Sequence, residues 1–371
     1  MTFRSRRTRI SGSPNRTHPD IARDTKLINE IRSRLEEFGE YDVVHSYLMA
    51  LIPALAEIGQ RTDAATVVTL NAYQGVCAKN DLLYRNAEHC ESKSLLKCID
   101  CIGRTGFRDN EHGYLYETGG QLLSLRLVRS ADECFDRIDA FRAPSEHVRA
   151  NYTQFGYDRD KIHVIPHPVD EEFLIDPQRG FTEPYKLLYV GYLVERKGVR
   201  KLIPILDSVR DSDFEFELTV VGTGGLESTL RAQAEDRGLR NQVTFAGFVP
   251  NGELPAVYAA HDCFVYPGIW EEPLARVYLE SLATGTPIVT SEYGTVSEII
   301  GGGGVTTDGS VDDFRRKILD LVRADRFTEV SRRGRQKATE YDLATIIEDL
   351  IDVYAEVRSQ NTGVGVYAST S

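Results

Sequence analysis

Short apolar runs of strand length alternate with segments of helical hydrophobic spacing along most of this chain. The apolar runs lie at 42–45, 66–70, 140–144, 163–165, 186–191, 218–221, 264–266 and 288–290. Segments with apolar residues at helical spacing stand between them, for example from Leu48 to Ile58. Strands that alternate with helices in this way favour parallel sheets with crossover helices. The pattern therefore predicts an α/β protein.

Residues 168–184 interrupt the alternation. This segment is acidic, contains Pro and Gly, and has no hydrophobic period, which is typical of an interdomain linker. We therefore predict a first domain over 21–167 and a second over 185–340. Residues 1–20 are basic and lack periodicity, so we expect a disordered tail there. Residues 359–371 are expected to form a second tail.

Length, composition and charge narrow the class of protein. At 371 residues the chain is long enough for two domains that each bury a core. No apolar run approaches the ~18 residues of a membrane-spanning helix, and no apolar stretch follows the charged start, as it would in a signal peptide. A net charge of −12 argues against a nucleic-acid partner. We expect a cytoplasmic protein, whose five arginines within 1–20 could contact anionic lipid at the inner face of a membrane.

The segment 264–287 places two carboxylates at defined positions. Its pattern predicts a strand, a loop, and a helix that begins at Pro273 and stops at Gly285. Glu272 would then lie at the helix N-terminus, where free N–H groups and the positive end of the dipole can hold an anion. Glu280 would lie ~12 Å further along the helix axis. Since the two carboxylates of a glycosidase lie within ~9.5 Å of each other, this spacing excludes that chemistry and suits an elongated ligand.

The sequence around these carboxylates resembles the signature of retaining glycosyltransferases of family 4, which have the GT-B fold. The similar stretch is EEPLARVYLESLATGTPIVTSEYGTVSEII. The resemblance covers nearly all of 40–357, strongly over 186–300 and loosely before. The resemblance implies two Rossmann-like domains that face each other across a cleft, with a helix at 341–358 that packs back on the first domain. It also implies that Glu272 contacts the donor sugar and that Glu280 binds the nucleotide ribose. An ordinary amphipathic helix is the alternative interpretation of these two residues taken alone.

The resemblance also implies a cation that holds the donor diphosphate. Lys197 matches a lysine of the family's diphosphate clamp, whereas Tyr192 stands where relatives have an arginine. Arg196 could supply the lost charge, although both basic residues could instead belong to a solvated turn. A leaving diphosphate gains negative charge in the transition state, so a fixed cation accelerates its departure. The residues of the helix mouth would hold the same diphosphate: Glu272, Pro273, Leu274 and Ala275.

Further donor contacts are expected after other strands. Gly222 and Gly224 follow an apolar strand, and small residues there let backbone N–H groups approach a phosphate. The pattern lacks the third glycine and the acidic residue of a dinucleotide fingerprint, which argues against a nicotinamide cofactor. By resemblance, Val249 would lie near the base. Asn71 stands where many relatives have a histidine that meets the donor sugar, and its amide can exchange hydrogen bonds but not a proton.

A stretch of the first domain contains four cysteines, Cys77, Cys90, Cys98 and Cys101. They could form a structural zinc site, because zinc favours four thiolates. Their irregular spacing is equally compatible with buried free thiols. No catalytic metal is expected.

Relatives normally begin with a strand, a Gly-rich loop that faces the donor phosphates, a helix and a second strand before the run at 42–45. This chain has about one helix and a tail there, so we expect its first sheet to lack an edge or central strand. The resemblance implies retaining, metal-independent transfer of a hexosyl group from a nucleoside diphosphate sugar to a glycan or lipid-linked acceptor, with no cofactor required. A catalytically impaired or truncated nucleotide-sugar-binding protein is the alternative, motivated by the short first domain, Tyr192 and Asn71.

Overall fold

The structure, a computed structural model, describes residues 21–85, 88–105, 114–175, 180–270 and 272–362. The predicted tail 1–20 lies outside the described residues, as does 363–371. Within the described ranges, no helix combines the length and the apolar character needed to cross a membrane.

In the described part of the first domain, four strands form a parallel sheet in the order β1-β2-β5-β6, and β3 and β4 form a separate antiparallel hairpin. The strands are β1 (Val43–Ser46), β2 (Ala65–Thr69), β3 (Leu83–Tyr84), β4 (Glu88–His89), β5 (Ala140–Ala143) and β6 (Ile162–Val164). The helices are α1 (Ile21–Ser33), α2 (Leu35–Phe38), α3 (Ile52–Arg61), α4 (Leu95–Thr105), α5 (Tyr114–Asp132) and α6 (Glu146–Gln154). Every residue of β2 is buried, as expected for a parallel strand covered on both faces.

Strand β1 lies at the edge of this sheet, and it pairs with β2. Among the described residues no strand precedes β1, and that region contains only α1 and α2. The expectation that the first sheet lacks an edge or central strand stays a prediction, because residues 1–20 lie outside the described part of the chain.

The second domain contains a six-stranded parallel sheet in the order β12-β11-β10-β7-β8-β9. The strands are β7 (Tyr185–Val190), β8 (Phe216–Val221), β9 (Val243–Gly247), β10 (Cys263–Tyr266), β11 (Ile288–Ser291) and β12 (Gly304–Thr307). The helices are α7 (Leu202–Val209), α8 (Glu227–Asp236), α9 (Leu254–Ala259), α10 (Arg276–Ala283), α11 (Val296–Ile300), α12 (Val311–Arg323), α13 (Phe327–Ala338) and α14 (Leu343–Thr362). The predicted α/β class is confirmed.

The strand order of the second sheet reverses between β7 and β10. The chain winds outward from β7 through β8 to β9, and from β10 it winds in the opposite direction to β12. In open parallel sheets, ligands bind outside the carboxyl ends of the strands at such a switch point. The loops that follow β7 and β10 are therefore where a binding site is expected.

The last helix, α14, packs against the sheet of the first domain rather than the second. Ile346, Val353 and Val357 share an apolar cluster with Val67 and Ala140 of the first sheet. The helix continues to Thr362, past the predicted end at 358.

One local expectation was wrong. Helix α10 begins at Arg276 rather than Pro273, and Ala275 is its cap residue with an extended backbone (ψ 111°). The carbonyl of Pro273 accepts a hydrogen bond from Ser145 of the first domain, which holds this segment outside the helix.

Candidate functional site

The loops after β7 and β10 meet through an ion pair. Lys197 Nζ donates to Glu272 Oε2 at 2.5 Å, and the two side chains are 14% and 11% exposed. Burial lowers the pKa of Lys197, while the nearby carboxylate of Glu272 opposes that shift. The sequence identified both residues but assigned them to different parts of a ligand, and their pairing was not predicted.

Two aromatic side chains complete the surroundings of this pair. Glu272 Oε2 also accepts from Trp270 Nε1 at 2.7 Å and from Tyr266 OH at 3.0 Å. Lys197 Nζ lies 5.1 Å from the Trp270 ring centroid and 5.4 Å from that of Tyr266. Arg196 also lies over the Trp270 ring, with its guanidinium carbon 5.2 Å from the ring centroid. Neither aromatic residue was predicted to lie in the site, although Trp270 stands only two positions before Glu272.

Gly198 allows the two loops to approach so closely. Its φ is +68°, and a Cβ at this position would lie 1.7 Å from the carbonyl oxygen of Pro267. Ile269 N donates to Arg196 O at 3.0 Å, which fastens the second loop to the first. The sequence Lys197-Gly198 therefore has a structural explanation, because only glycine fits at the position after Lys197.

The glycines after β8 pack against the β7 loop. A Cβ on Gly222 would lie 1.9 Å from Gly191 O, and one on Gly224 would lie 2.6 Å from Leu193 O. The absence of side chains at Gly222 and Gly224 thus serves loop packing. Their predicted approach to a phosphate stays a prediction.

Glu280 lies in α10 and is 7% exposed. Burial raises its pKa, and a hydrogen bond from Tyr258 OH at 3.1 Å opposes that effect. Arg276, one helical turn earlier, also favours the ionised form. A buried carboxylate with a single neutral donor retains capacity for further hydrogen bonds, which a pair of ribose hydroxyls could supply.

Two exposed aromatic side chains flank the expected base and phosphate positions. Phe248, beside Val249 after β9, is 76% exposed, and Tyr192, after β7, is 47% exposed. The part of the helix mouth formed by Pro273, Leu274 and Ala275 is buried. All of these residues follow carboxyl ends of strands in the second sheet.

Asn71 follows β2 of the first domain. Its Nδ2 donates to Tyr47 O at 2.8 Å, whereas its Oδ1 is buried and has no hydrogen-bond partner in the described structure. Within the described residues, no hydrogen bond joins Asn71 to Lys197 or Glu272. The expected role of Asn71 toward the donor sugar stays a prediction.

The four clustered cysteines line one cavity in the first domain. However, no three or more His, Cys, Asp or Glu residues in the described ranges are grouped so that they could hold a metal ion. Cys101 Sγ accepts from Arg85 N at 3.2 Å, and burial raises the pKa of Cys77 to about 12. These features give no support to the zinc alternative and fit free thiols.

Two family models and several curated proteins match this chain. The family model "Glycosyltransferase Family 4" matches residues 2–173, and "Glycosyl transferases group 1" matches 170–340. The chain is 29% identical to O-antigen chain mannosyltransferase B of Escherichia coli over 45% of each chain. It is 30% identical to the GDP-mannose-dependent alpha-(1-6)-phosphatidylinositol monomannoside mannosyltransferase of Mycobacterium tuberculosis over 55% of this chain and 58% of that protein. The chain thus spans about half the length of these curated relatives.

Solved structures show the same fold at low sequence identity. Sucrose-phosphate synthase from Thermosynechococcus elongatus superposes with a TM-score of 0.69 at 15% identity, covering 92% of this chain and 79% of that one. Anabaena HepE in complex with UDP gives 0.67 at 18% identity, covering 89% and 83%. With two family models that together span residues 2–340, and with this likeness in fold, the chain belongs to glycosyltransferase family 4 and has the GT-B fold.

Proposed function

We propose that this protein transfers a hexosyl group from a nucleoside diphosphate sugar to a glycan or lipid-linked acceptor, with retention of configuration and without a metal ion or other cofactor. The observation that carries the proposal is the buried Lys197–Glu272 pair at the switch point of the second sheet. When a donor binds there, the ammonium of Lys197 can contact the diphosphate and the carboxylate of Glu272 can contact the sugar, in place of their contact with each other.

The donor would lie across the carboxyl ends of the second sheet. Lys197, with Arg196 beside it, would hold the diphosphate, and Glu280 would accept hydrogen bonds from the ribose hydroxyls. When the diphosphate takes the ammonium of Lys197, Glu272 gains capacity to accept a hydrogen bond from a sugar hydroxyl. Asn71 would reach the same sugar from the first domain. The loops that contain Gly222, Gly224 and Val249 and the segment Pro273–Ala275 would line the phosphates and the base.

Retention would follow from attack on the same face as the leaving group. The bond between sugar C1 and the phosphate oxygen breaks while the acceptor oxygen bonds to C1. The acceptor proton passes to an oxygen of the leaving diphosphate, whose growing charge Lys197 stabilises. Three donors already converge on Glu272 Oε2, and hydrogen bonds of this kind reduce the nucleophilicity of a carboxylate. The proposal therefore gives Glu272 a binding role and no covalent intermediate.

A panel of donors tests the proposal. UDP-glucose, UDP-galactose and GDP-mannose should be compared for thermal stabilisation of the protein and for slow hydrolysis, which needs no known acceptor. We expect one base and one sugar to stand out in both measurements, with the anomeric configuration of the released sugar retained in its first NMR spectrum. Inversion would contradict retention, and full activity in EDTA is expected if no metal takes part.

Stabilisation by a donor without hydrolysis or transfer would favour the alternative, a nucleotide-sugar-binding protein without catalytic activity. The observation that motivates this alternative is the short first sheet with β1 at its edge. A cation at this place would serve the binding of a diphosphate as well as its departure, so turnover, and not binding, distinguishes the two functions.

Peripheral contact with a membrane is a further part of the proposal. Helices α4 and α5 of the first domain expose five large apolar side chains: Leu95, Leu96, Ile99, Leu122 and Leu123. Leu96 is 81% exposed. Sedimentation with anionic phospholipid vesicles should carry the protein down, and Leu96→Glu should weaken this. Ile347→Glu, on an apolar side chain of α14 that is 45% exposed, is the matched control and should sediment normally; equal loss in both variants would contradict a specific face.

A further inference from the structure

A side chain of the second domain caps a helix of the first. Glu298 Oε1 accepts from Glu146 N at 2.9 Å, and Glu298 Oε2 accepts from His147 N at 3.4 Å. These are the first two N–H groups of α6. The third, Val148 N, donates to the cap residue Ser145 at 3.2 Å. The first four N–H groups of a helix have no partner within the helix, and at α6 a carboxylate of the second domain accepts from two of them.

The same cap contacts the loop of the ion pair. Ser145 Oγ donates to Pro273 O at 3.0 Å, and Thr295 Oγ1 donates to Glu272 O at 3.3 Å. Ser145 and Thr295 are each 1% exposed. Thr295 is the cap residue of α11, the short helix that contains Glu298. The α6 cap, α11 and the backbone beside Glu272 therefore form one connected set of contacts across the cleft.

We propose that Glu298 is a positioning residue that latches the first domain onto the Glu272 loop. Its carboxylate accepts from two N–H groups at the N-terminus of α6, where the positive end of the helix dipole favours a negative charge. Closing the latch brings the acceptor-side domain against the backbone of Pro273. The role in turnover rests on the proposed function, whereas the latch itself is a property of the two domains.

The strength of the latch suits a contact that breaks in every catalytic cycle. Glu298 is exposed to solvent, and an exposed charge at a helix N-terminus changes an equilibrium by a factor of roughly two to five. Such a contact favours the closed arrangement without preventing the opening that releases products. A deeply buried ion pair at the same place would hold the cleft shut.

A purely local role for Glu298 is the competing explanation. Its position within α11 also lets its charge favour that helix. The two roles differ in what happens at α6: a local role leaves the Glu146 and His147 amides unchanged when Glu298 is replaced, whereas a latch exposes them.

Hydrogen exchange at the start of α6 tests the latch directly. Exchange in the peptide that covers Glu146 and His147 should be several-fold faster in Glu298→Ala than in the wild type, and intermediate in Glu298→Gln. Glu292→Gln is the matched control, because Glu292 lies near Glu298 but accepts from Ser297 Oγ at 2.9 Å within the second domain. The control should exchange like the wild type. Unchanged exchange in Glu298→Ala, or equal change in the control, would overturn the latch.

Kinetics test the positioning role separately. With the donor that the panel of nucleotide sugars identifies, Glu298→Ala should lower kcat about two- to fivefold. The Kd of the nucleoside diphosphate should be unchanged, because the proposed donor contacts lie mainly in the second domain. An equal loss of diphosphate affinity would overturn the positioning role. If no donor supports transfer, the proposed function fails, and the exchange measurement still decides whether the latch exists.

Discussion

The ammonium of Lys197 lies 2.5 Å from Oε2 of Glu272, although the two residues are 75 positions apart. They come from loops on either side of the switch point. In the proposed complex with the donor, Lys197 would contact the diphosphate and Glu272 would contact the sugar, in place of their contact with each other. Replacing either one therefore leaves a nearly buried charge without its partner, which is strongly destabilising in most proteins.

Glu272→Gln should separate binding from catalysis. The neutral amide leaves the charge of Lys197 available, so affinity for the nucleoside diphosphate should be unchanged or higher. Transfer should fall by about 100-fold, a typical loss for a group that contacts the reacting part of a substrate. The protein should also be less stable by about 3 kcal/mol, because Lys197 loses its partner. Calorimetry with the diphosphate, a melting curve and kcat together check this; a clear loss of diphosphate affinity would contradict it.

Lys197→Met should lower kcat by about 100-fold and affect donor affinity much less, because the charge that Lys197 meets grows during bond cleavage. The matched control is Arg200→Met, in the same segment. The Arg200 side chain is 47% exposed, and its Nε pairs with Glu195 at 2.6 Å. The control should keep its activity. Equal losses in affinity and kcat in Lys197→Met would show that the lysine binds ground and transition states alike.

Glu280→Gln should stabilise the protein and weaken nucleotide binding. Burial raises the pKa of Glu280 above its ordinary 4.5, so the folded state holds this proton more tightly than the unfolded state. The ionised group therefore opposes folding above the raised pKa, and this effect disappears as the pH falls below 4.5. At pH 7 the variant should melt at a higher temperature, and the difference should shrink on acidification.

The same variant should bind the nucleoside diphosphate about ten- to a hundredfold more weakly, the effect of losing a hydrogen bond to a charged group. Inorganic diphosphate, which lacks a ribose, is the matched ligand control and should bind as before. A loss for both ligands would move Glu280 to the phosphates.

Gly198→Ala should prevent the Lys197 and Trp270 loops from meeting, because the new Cβ would lie 1.7 Å from Pro267 O. We expect a large loss of activity and a loss of stability of several kcal/mol, as for other strained and overpacked positions. Gly238→Ala has nearly the same φ, +69°, and no atom within 4 Å of the added Cβ. It should lose only about 1 kcal/mol. Melting temperatures compare the two, and similar shifts would mean that backbone strain alone explains the effect.

Short-range patterns predicted much of the fold. The buried run of β2 and the helical spacing of α10 depend on residues within a few positions of each other. So does the end of α10, which stops at Ala283, two residues before Gly285, whose φ is +67°. Period, propensity and turn chemistry are encoded at that range. The start of α10 was misplaced because Pro273 is held by Ser145, 128 residues away, which no local pattern encodes.

By itself the sequence determined the α/β class, the resemblance to family 4, and the identity of Lys197, Glu272 and Glu280 as candidate site residues, because each depends on residue type and local spacing. Only the tertiary structure decided that Lys197 and Glu272 pair, that Tyr258 donates to Glu280, and that Glu298 caps α6 across the cleft. The physical reason is distance along the chain: Glu298 and Glu146 are 152 positions apart. Only the strand order and the packing of the two domains bring such groups within hydrogen-bonding range.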